Sequence, residues 1–399
     1  MDLQDKSILL GVTGGIAAYK SLELLRLFKK AKANVNVIMT DNALKFIGSV
    51  SFATLSENPV LLNLFDNKKV SINHIKLAQS SDIAIVAPAS ANTIAKFAYG
   101  IADNALSTTI LAITCPVIIC PAMNVNMYNN VKTKRNLDLL KQDGWSILNP
   151  DKGELACKSI GEGRLPEPWV IFDRTKAILT KKDLLNKKVL VSAGPTIEPI
   201  DPVRFISNYS SGKMGYEIAA AAEKRGAIVT LVSGPVHLDS PLGVKKVDVN
   251  SSEQMANAML ENLDQADIVF KVAAVTDYKP KTIENHKIKK DKKNLSILMT
   301  ENPDILNLIK KKKKKDQFIV GFAAETKNLE QNALKKMNDK KLDMIAANKV
   351  GLANSGFNSN TNKIKLFFKN GFKVDIPLMQ KEKIADIMID NIIRYQKKI

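Results

Sequence analysis

Two glycine-rich turns, about half a chain apart, combine residue types that suit phosphate binding. The first, at 11–16, reads Gly-Val-Thr-Gly-Gly-Ile after a short apolar run. The second half repeats the pattern at 189–196, and the segment 210–215 (Ser-Ser-Gly-Lys-Met-Gly) completes it. Glycines let the backbone approach a ligand closely, and the free N–H groups at a helix start suit a phosphate. One such turn is weak evidence, whereas two in one chain indicate two phosphate-binding domains.

Three side chains of the first half could move a proton or hold a carboxylate. His74 follows Ser71, an N-cap residue type, so we expect it in the first turn of a helix, where the dipole favours a neutral ring that can accept a proton. Asn124 follows a strand, where open α/β sheets bind ligands. Cys157 has lysine and arginine nearby, which could favour a thiolate. Taken singly, each is more often structural, Asn124 for example as a turn residue bonding its own backbone.

The second half offers a different set of groups. The segment 208–215 joins hydroxyls, glycines and a lysine at a helix start, although it lacks the spacing of a Walker P-loop. Asp277 follows a strand and could hold a ribose hydroxyl or magnesium, and Lys287 could meet a triphosphate as a point charge. A solvated charged loop explains the lysines of 287–290 equally well. Lys336 and Lys340 lie four apart, on one helix face, as two cations meeting one polyphosphate would.

These residues must be positioned by alternating strands and helices, which predict two doubly wound parallel sheets. In the first half we predict strands at 7–12, 34–39, 82–87 and 116–120, and helices near 17–30, 73–79, 90–98 and 130–142. In the second we predict strands at 188–193, 227–232, 267–272, 318–322 and 343–347, and helices at 213–225, 252–263, 327–340 and 380–396. A hairpin is expected over 364–375, with a type I′ turn at Asn370-Gly371.

The chain divides into two predicted domains, 1–186 and 187–399, because 399 residues are too many for one ordinary core. The stretch 151–168 is rich in glycine, proline and charge, too irregular for an element, and is interpreted as a functional flap or an ordinary surface loop. The longest apolar run, 110–122, is too short to span a membrane and indicates a buried strand.

Charge and cysteine content narrow the class of protein. The formal net charge of +19 favours anionic partners such as nucleic acid, nucleotides or phosphorylated metabolites. The lysine run 310–315 has no interleaved aromatics and is interpreted as a solvated helix end, and no nucleic-acid-binding signature accompanies it. Cys115, Cys120 and Cys157 show neither metal-ligand spacing nor a disulfide framework. With no signal peptide at the N-terminus, we expect a cytoplasmic protein with reduced thiols and no membrane or nucleic-acid partner.

Together the motifs of the first half resemble the FMN-dependent cysteine decarboxylase family. The resemblance rests on 11–20 (Gly-Val-Thr-Gly-Gly-Ile-Ala-Ala-Tyr-Lys), His74, 87–93 (Ala-Pro-Ala-Ser-Ala-Asn-Thr), 121–124 (Pro-Ala-Met-Asn) and the flap around Cys157. With its second half included, the chain is similar from end to end to the bacterial bifunctional phosphopantothenoylcysteine decarboxylase/phosphopantothenate–cysteine ligases of coenzyme A biosynthesis. One departure is Tyr128, where that family often has tryptophan.

The resemblance implies a flavodoxin-like first domain that decarboxylates 4′-phospho-N-pantothenoylcysteine. FMN would take two electrons from the cysteine moiety to give a thioaldehyde, which eases loss of carbon dioxide, and reduction would then yield 4′-phosphopantetheine. His74 would be the base and orienting group, Asn124 would hold the substrate carboxylate, and Cys157 would supply a proton in the final reduction. The implied contacts to the FMN phosphate and ring are Gly14, Gly15, Thr40, Ser90 and Thr108.

For the second, nucleotide-binding domain the resemblance implies a CTP-dependent ligase. It would activate the carboxylate of 4′-phosphopantothenate as an acyl-cytidylate, releasing pyrophosphate, and the amine of cysteine would then form the amide. Asn208 would stabilise the acyl-cytidylate. The implied CTP contacts are Asp277, Lys287, Pro303, Asp304, Ile305, Leu306, Phe322, Lys336 and Lys340. Displacement at the α-phosphorus needs charge neutralisation, so Mg²⁺ is expected, with ligands unassigned.

Two alternatives remain. One is a flavoprotein decarboxylase for another cysteine-containing substrate with a degenerate second half, against which stand the motifs at 208–215, 277–290 and 321–326. The other is a non-catalytic basic protein that binds RNA or acidic partners, and bound flavin would argue against it.

The resemblance also implies an assembly. Decarboxylase domains would form trimers, with FMN at subunit contacts, and ligase domains would form dimers, so the protein would be a homo-oligomer, a dodecamer.

Overall fold

The computed structural model describes residues 3–65, 73–154, 160–290, 295–349, 356 and 358–397. The chain folds as two compact units, Asp2–Thr180 and Lys181–Ile399. Each unit is an open, mainly parallel sheet with helices on its faces, so the predicted α/β class with two doubly wound domains is confirmed.

The N-terminal unit contains seven strands and nine α-helices within its described residues. The strands are β1 (Ser7–Val12), β2 (Asn34–Met39), β3 (Ile83–Ala89), β4 (Val117–Pro121), β5 (Ser146–Ile147), β6 (Asp151–Glu154) and β7 (Ile160–Arg164). The helices are α1 (Lys20–Lys30), α2 (Asp41–Leu44), α3 (Ser49–Ser56), α4 (Asn73–Ser80), α5 (Ala91–Ala98), α6 (Ala105–Leu111), α7 (Val125–Asn129), α8 (Val131–Gln142) and α9 (Pro168–Leu179), with a 3-10 turn at Ile16–Tyr19.

The main sheet of this unit is parallel and has the strand order β2-β1-β3-β4-β5. Every residue of β3 is buried, as expected for a strand covered by helices on both faces. The chain runs from β1 outward to β2 and then crosses to β3 on the other side of β1. This flavodoxin-like order places the switch point, where ligands bind such sheets, between β1 and β3.

The segment 151–168 is more regular than the sequence predicts. β6 and β7 pair as an antiparallel hairpin, and α9 begins at Pro168. The expectation of no regular element was therefore wrong. The reason is that β7 has glycines at alternate positions instead of an apolar pattern, and it is held by a tertiary contact, the Met123 N–H donating to the Gly163 carbonyl at 3.0 Å. The predicted flap thus has a hairpin for its base.

The C-terminal unit contains the remaining elements. Its strands are β8 (Lys188–Ala193), β9 (Ile197–Pro199), β10 (Phe205–Ser207), β11 (Ile228–Ser233), β12 (Lys245–Asp248), β13 (Ile268–Lys271), β14 (Tyr278–Pro280), β15 (Met299–Glu301), β16 (Phe318–Glu325), β17 (Met344–Lys349), β18 (Thr361–Phe368) and β19 (Lys373–Gln380). Its helices are α10 (Lys213–Lys224), α11 (Ser252–Leu263), α12 (Ile305–Lys312), α13 (Leu329–Asp339) and α14 (Lys381–Gln396).

The large sheet of this unit has eight strands in the order β12-β11-β8-β13-β16-β17-β18-β19. The first six are parallel, and β18 and β19 add antiparallel strands at one edge. The order reverses between β8 and β13, so these two strands form the switch point. Apolar side chains on both faces of the sheet form two core clusters, one with α10 and α14 and one with α11, α12 and α13.

The predicted hairpin is present, but its turn is not type I′. Of its two predicted central residues only Gly371 has a positive φ, +86°, and a type I′ turn needs two such residues. The Gly371 N–H donates to the Phe368 carbonyl and the Phe368 N–H to the Phe372 carbonyl, both at 2.9 Å. The loop is thus one residue longer than predicted, because the left-handed conformation falls on glycine alone.

Both cysteines that the structure describes are free thiols. Cys120 is fully buried in β4 and Cys115 is half-buried, and burial raises the pKa of each thiol above its usual value. The apolar run 110–122, predicted as one buried strand, instead ends α6 and forms β4. Among the described helices none is both long and apolar enough to cross a bilayer.

Candidate functional site

In the N-terminal unit, three loops meet where β1, β2 and β3 end. The Thr40 N–H donates to the Val12 carbonyl at 3.1 Å. Thr13 Oγ1 donates to the Pro88 carbonyl at 2.8 Å and accepts from the Ser90 N–H at 2.9 Å. The loops that carry Gly14, Gly15, Thr40 and Ser90 are therefore joined to each other at the switch point of the sheet.

This edge has the features of a site built for a ligand. Thr40 Oγ1 is buried and has no hydrogen-bond partner. Leaving such a group unsatisfied costs about 1–3 kcal/mol, so a ligand that bonds it is expected. A Cβ at Gly14 would lie 2.6 Å from Asn42 Cβ, whereas nothing lies within 4 Å of a Cβ at Gly15. Gly14 is thus required by packing, and Gly15 borders open space. These residues fit a phosphate-bearing cofactor such as FMN.

Ser90 and Thr108 have local roles as well. Ser90 is the N-cap of α5, and its Oγ accepts from the Thr93 N–H at 3.3 Å. Thr108 lies on α6 and donates from Oγ1 to the Ala102 carbonyl at 3.3 Å. Ser90 belongs to the joined loops, whereas contact of Thr108 with the cofactor stays a prediction.

The residues predicted to act on the substrate lie on two other elements. Asn124 directly follows β4, as predicted, and caps α7, with its Oδ1 accepting from the Asn126 N–H at 2.8 Å. The helix cap uses the amide oxygen as an acceptor. The predicted role of Asn124, holding a carboxylate, would use its amide nitrogen as a donor. His74 is half-buried and lies in the first turn of α4, as predicted. Ser71 and Cys157 lie outside the described residues.

In the C-terminal unit, a cavity of about 640 Å³ opens at the carboxyl ends of β8 and β13. It is lined by the loops after these strands, the first turn of α10, the start of α12 and one face of α13. Most of the predicted nucleotide contacts line it: Asp277, Pro303, Asp304, Ile305, Leu306, Phe322, Lys336 and Lys340. The sheet topology therefore gathers residues that lie far apart in sequence.

Glycines allow the start of α10 to lie close to this cavity. Gly212 is its N-cap and has φ of +76°, a conformation that other residues rarely adopt. A Cβ at Gly215 would lie 2.6 Å from Ala193 Cβ, so the first turn of α10 packs directly on the end of β8. Asn208 precedes this turn, and its Nδ2 donates to the carbonyl of the lining residue Ala274 at 2.9 Å.

Lys287, also predicted to contact the nucleotide, is exposed and lies outside the cavity lining formed by the described residues. Its segment is held from one side by Asp201, whose carboxylate accepts from the Ile288 N–H at 3.1 Å and from Arg204 at 2.7 Å. Although burial alone would raise it, hydrogen bonds from the Val203 and Ile288 N–H groups and from Arg204 hold the pKa of Asp201 well below its usual range. Contact between Lys287 and a nucleotide stays a prediction.

The charged groups of the cavity are paired only in part. Lys340 Nζ lies 2.5 Å from Asp304 Oδ2, and Lys336 Nζ donates to the Phe322 carbonyl at 2.9 Å. Burial tends to raise the pKa of Asp304, but the hydrogen bond from Lys340 brings it below its usual range. Burial lowers the pKa of Lys336. Because these cations are partly desolvated, an anionic ligand would stabilise them.

Sequence reasoning missed three lining residues. Lys271 ends β13, and burial together with Lys336 lowers its pKa to about 7. Asn302 donates from Nδ2 to the Thr276 carbonyl at 2.9 Å, while its buried Oδ1 has no partner. Lys381, buried at the start of α14, donates to the Gly356 carbonyl at 2.9 Å, and burial and Lys213 lower its pKa to about 8. None belongs to a motif. Two of them could have been found from the sequence, because Lys271 interrupts an apolar strand and Lys381 stands at a helix start.

The described residues contain no cluster of three or more histidine, cysteine or acidic side chains that could hold a metal ion.

Comparison with known proteins covers the whole chain. The Flavoprotein family matches residues 1–180, and the family described as DNA/pantothenate metabolism flavoprotein C-terminal domain matches 184–395. The chain is 45% identical over 401 residues to the coenzyme A biosynthesis bifunctional protein CoaBC of Bacillus subtilis (strain 168), covering 99% of this chain and 98% of that protein. To the protein of the same name from Escherichia coli (strain K12) it is 44% identical over 404 residues, covering 100% and 99%.

Two solved structures each match about half of this chain. A crystal structure of the C-terminal domain of a coenzyme A biosynthesis bifunctional protein CoaBC is 38% identical, covers 55% of this chain and 100% of that one, and gives a TM-score of 0.48. The FMN binding protein AtHal3 is 32% identical, covers 44% of this chain and 97% of that one, and gives a TM-score of 0.39.

Proposed function

The chain belongs to the family of bifunctional coenzyme A biosynthesis proteins, and from this premise we propose which residues carry out its two reactions. The protein is an enzyme with two activities. As a ligase it joins cysteine to 4′-phosphopantothenate, and as an FMN-dependent decarboxylase it converts the resulting 4′-phospho-N-pantothenoylcysteine to 4′-phosphopantetheine. The observation that supports the residue assignment is that most of the predicted nucleotide contacts line one cavity at the switch point of the C-terminal sheet, while the loops of Gly14, Gly15, Thr40 and Ser90 are joined at the switch point of the N-terminal sheet.

The ligase reaction takes place in the cavity of the C-terminal unit, with CTP as the nucleotide. A carboxylate oxygen of 4′-phosphopantothenate attacks the α-phosphorus of CTP, and the bond to pyrophosphate breaks. The amine of cysteine then attacks the acyl carbon, and CMP leaves. Asn208 stabilises the acyl-cytidylate, Asp277 contacts the ribose, and Lys336 and Lys340 attract the nucleotide. The partly desolvated lysines support an anionic occupant, and the unpartnered Asn302 Oδ1, an acceptor, supports one that also carries a hydrogen-bond donor, as the ribose and base of a nucleotide do.

Mg²⁺ would enter this site with the triphosphate. Because the described residues contain no cluster of three or more histidine, cysteine or acidic side chains, the phosphate oxygens would be its main ligands. Lys287 would contact the nucleotide. It lies on an exposed segment that is held by the hydrogen bond from the Ile288 N–H to Asp201.

The decarboxylase reaction takes place at the carboxyl edge of the N-terminal sheet. Thr40, with its unpartnered hydroxyl, and Gly14, Gly15 and Ser90 on the joined loops would hold the cofactor, with Thr108 a further contact. When bound, FMN supplies reversible two-electron chemistry for the cysteine moiety of the substrate. His74 accepts a proton and orients the substrate, and Asn124 holds the carboxylate that leaves as carbon dioxide. Cys157 donates the last proton.

We propose a cytoplasmic homo-oligomer, a dodecamer built from trimers of the decarboxylase unit and dimers of the ligase unit. The similarity of the chain to its family supports this assembly. Native mass spectrometry measures it, and a monomeric protein with full activity would exclude it.

The complete function is tested by incubating the purified protein with 4′-phosphopantothenate, cysteine, Mg²⁺ and CTP and following the products by mass spectrometry. We expect 4′-phosphopantetheine, carbon dioxide and pyrophosphate. If only 4′-phospho-N-pantothenoylcysteine accumulates in the presence of added FMN, the roles of His74, Asn124 and Cys157 are wrong. If no substrate is consumed, the ligase assignment is wrong too.

A further inference from the structure

Lys271 is a charged residue at an unusual place, the end of a central strand. It is the last residue of β13, and its partners across the sheet are Ser192 on β8 and Gly321 on β16. It lines the C-terminal cavity at the point where the strand order reverses. Open α/β sheets bind their ligands at this point, so Lys271 lies where a bound nucleotide would be closest to the sheet.

The groups around Lys271 do not neutralise it directly. Its Nζ donates to the Ala273 carbonyl at 2.7 Å, and it forms no ion pair with any described residue. The charged groups that act on it are Lys336 on α13, Asp304 at the start of α12 and Asp277 in the loop after β13. Asp304 is already bonded by Lys340, and the cross-strand partners of Lys271, Ser192 and Gly321, are uncharged.

We propose that Lys271 is an additional nucleotide-binding residue, whose ammonium group pairs with an anionic oxygen of the nucleotide bound in this cavity. The inference rests on the proposed ligase function of the unit. A lysine ammonium has three donor hydrogens, and the Ala273 carbonyl uses one of them. A partly desolvated cation beside a second lysine gains most from a ligand that brings negative charge.

The same arrangement links nucleotide binding to a proton. In the free protein, burial and the neighbouring Lys336 lower the pKa of Lys271 to about 7, so most of the population is neutral above that pH. An anionic ligand favours the charged form and raises this pKa again. Between the two pKa values, nucleotide binding therefore takes up a proton, and affinity falls as the pH rises.

The proposal is tested by isothermal titration of the protein with CTP and Mg²⁺ at pH 7.5. The titration is repeated in Hepes and Tris buffers, because their different ionisation enthalpies reveal how many protons are taken up on binding. Replacing the side chain in Lys271→Met removes a charge-assisted hydrogen bond, so we expect the Kd to rise roughly tenfold or more. Proton uptake should fall at the same time. Lys271→Arg should keep the Kd within a few-fold but also lose the uptake, because a guanidinium stays charged. Lys311→Met, on the exposed end of α12, is the matched control.

An unchanged Kd and unchanged proton uptake in Lys271→Met would overturn the proposal. So would a loss of ligation rate with normal CTP affinity, since it would assign Lys271 to a later step. If Lys271→Met does not fold, the proton uptake of Lys271→Arg decides, because uptake equal to that of the wild type excludes Lys271 as its source. Failure of the proposed function would be distinct, since the wild-type protein itself would then not bind CTP.

Discussion

At the scale of single residues, the buried hydroxyl of Thr40 links stability to cofactor binding. It lacks a partner in the protein, so Thr40→Val should leave the FMN-free protein equally stable or about 1 kcal/mol more stable. The same change should weaken FMN binding roughly tenfold, because a hydrogen bond to the ligand is lost. Thermal unfolding of the apoprotein and fluorescence titration with FMN measure the two effects.

The control is Thr54→Val on α3, whose exposed hydroxyl bonds the Val50 carbonyl within its own helix. It should leave FMN affinity unchanged. Equal FMN affinity in Thr40→Val and the wild type would remove Thr40 from the cofactor site.

Asn208 is the residue whose loss should separate the two activities. Asn208→Ala removes the donor to the acyl-cytidylate, and we expect ligation to fall roughly 10²- to 10³-fold, as for other groups that stabilise a reaction intermediate. Decarboxylation of supplied 4′-phospho-N-pantothenoylcysteine should continue unchanged, because it takes place in the other unit. Product formation by mass spectrometry measures both rates.

Asn262→Ala is a matched control, because its Nδ2 donates to the Ala258 carbonyl at 2.8 Å within α11, as that of Asn208 does to Ala274 at 2.9 Å. A parallel loss of both activities in Asn208→Ala would instead indicate misfolding.

The position of a candidate residue could be predicted from the sequence where that residue follows a strand. Its hydrogen-bond and ion-pair partners could not be predicted. Asp277 and Asn124 were predicted from the strands before them. The ion pair of Lys340 with Asp304, the partial burial of Lys271 and the unpartnered Asn302 oxygen depend on how distant segments pack. Local sequence carries no record of such packing.

At the scale of elements, the contact between the start of α10 and the end of β8 is tight enough to test. Gly215→Ala would place a Cβ 2.6 Å from Ala193 Cβ and force the helix away from the strand. We expect a loss of about 1–3 kcal/mol in the stability of the C-terminal unit, together with loss of ligation. FMN content should not change. Denaturant unfolding and the flavin spectrum measure these effects.

Gly48→Ala serves as the comparison, because nothing lies within 4 Å of a Cβ at that position. Wild-type ligation in Gly215→Ala would show that the first turn of α10 need not lie so close to β8.

Buried parallel strands could be predicted from sequence, whereas elements held by tertiary contacts could not. β1 and β8 follow from continuous apolar runs that are buried on both faces. The hairpin of β6 and β7 has no such run, and the contact of Gly163 with Met123 joins it to the sheet. The turn at Gly371 was mistaken for a similar reason, since the pair Asn370-Gly371 fits two loop lengths.

At the scale of the whole molecule, residues 181–186 connect two units that each have their own core. The buried Arg225 donates two hydrogen bonds to the Asp183 carboxylate, at 2.8 and 2.7 Å, and forms a second ion pair with Asp390. Leu184 belongs to the core cluster that includes α10 and α14. These contacts assign the connecting residues to the C-terminal unit, although the predicted boundary near 186 would assign them to the first.

A chain starting at 181 should therefore be more stable than one starting at 187. The shorter chain leaves a buried guanidinium with one carboxylate instead of two, and it opens the core at Leu184, which together should cost about 2–4 kcal/mol. Denaturant unfolding of both chains measures the difference. Equal stability would support the boundary near 186.

The burial of Cys115 and Cys120 has a practical consequence for chemical labelling. The thiolate is the nucleophile that attacks an alkylating reagent, and both thiols have raised pKa values, so neither reacts readily at neutral pH. Mass added to the intact protein during a brief exposure would thus come from Cys157. Because substrate should protect that thiol, the rate of labelling offers an occupancy assay that needs neither turnover nor a coloured product.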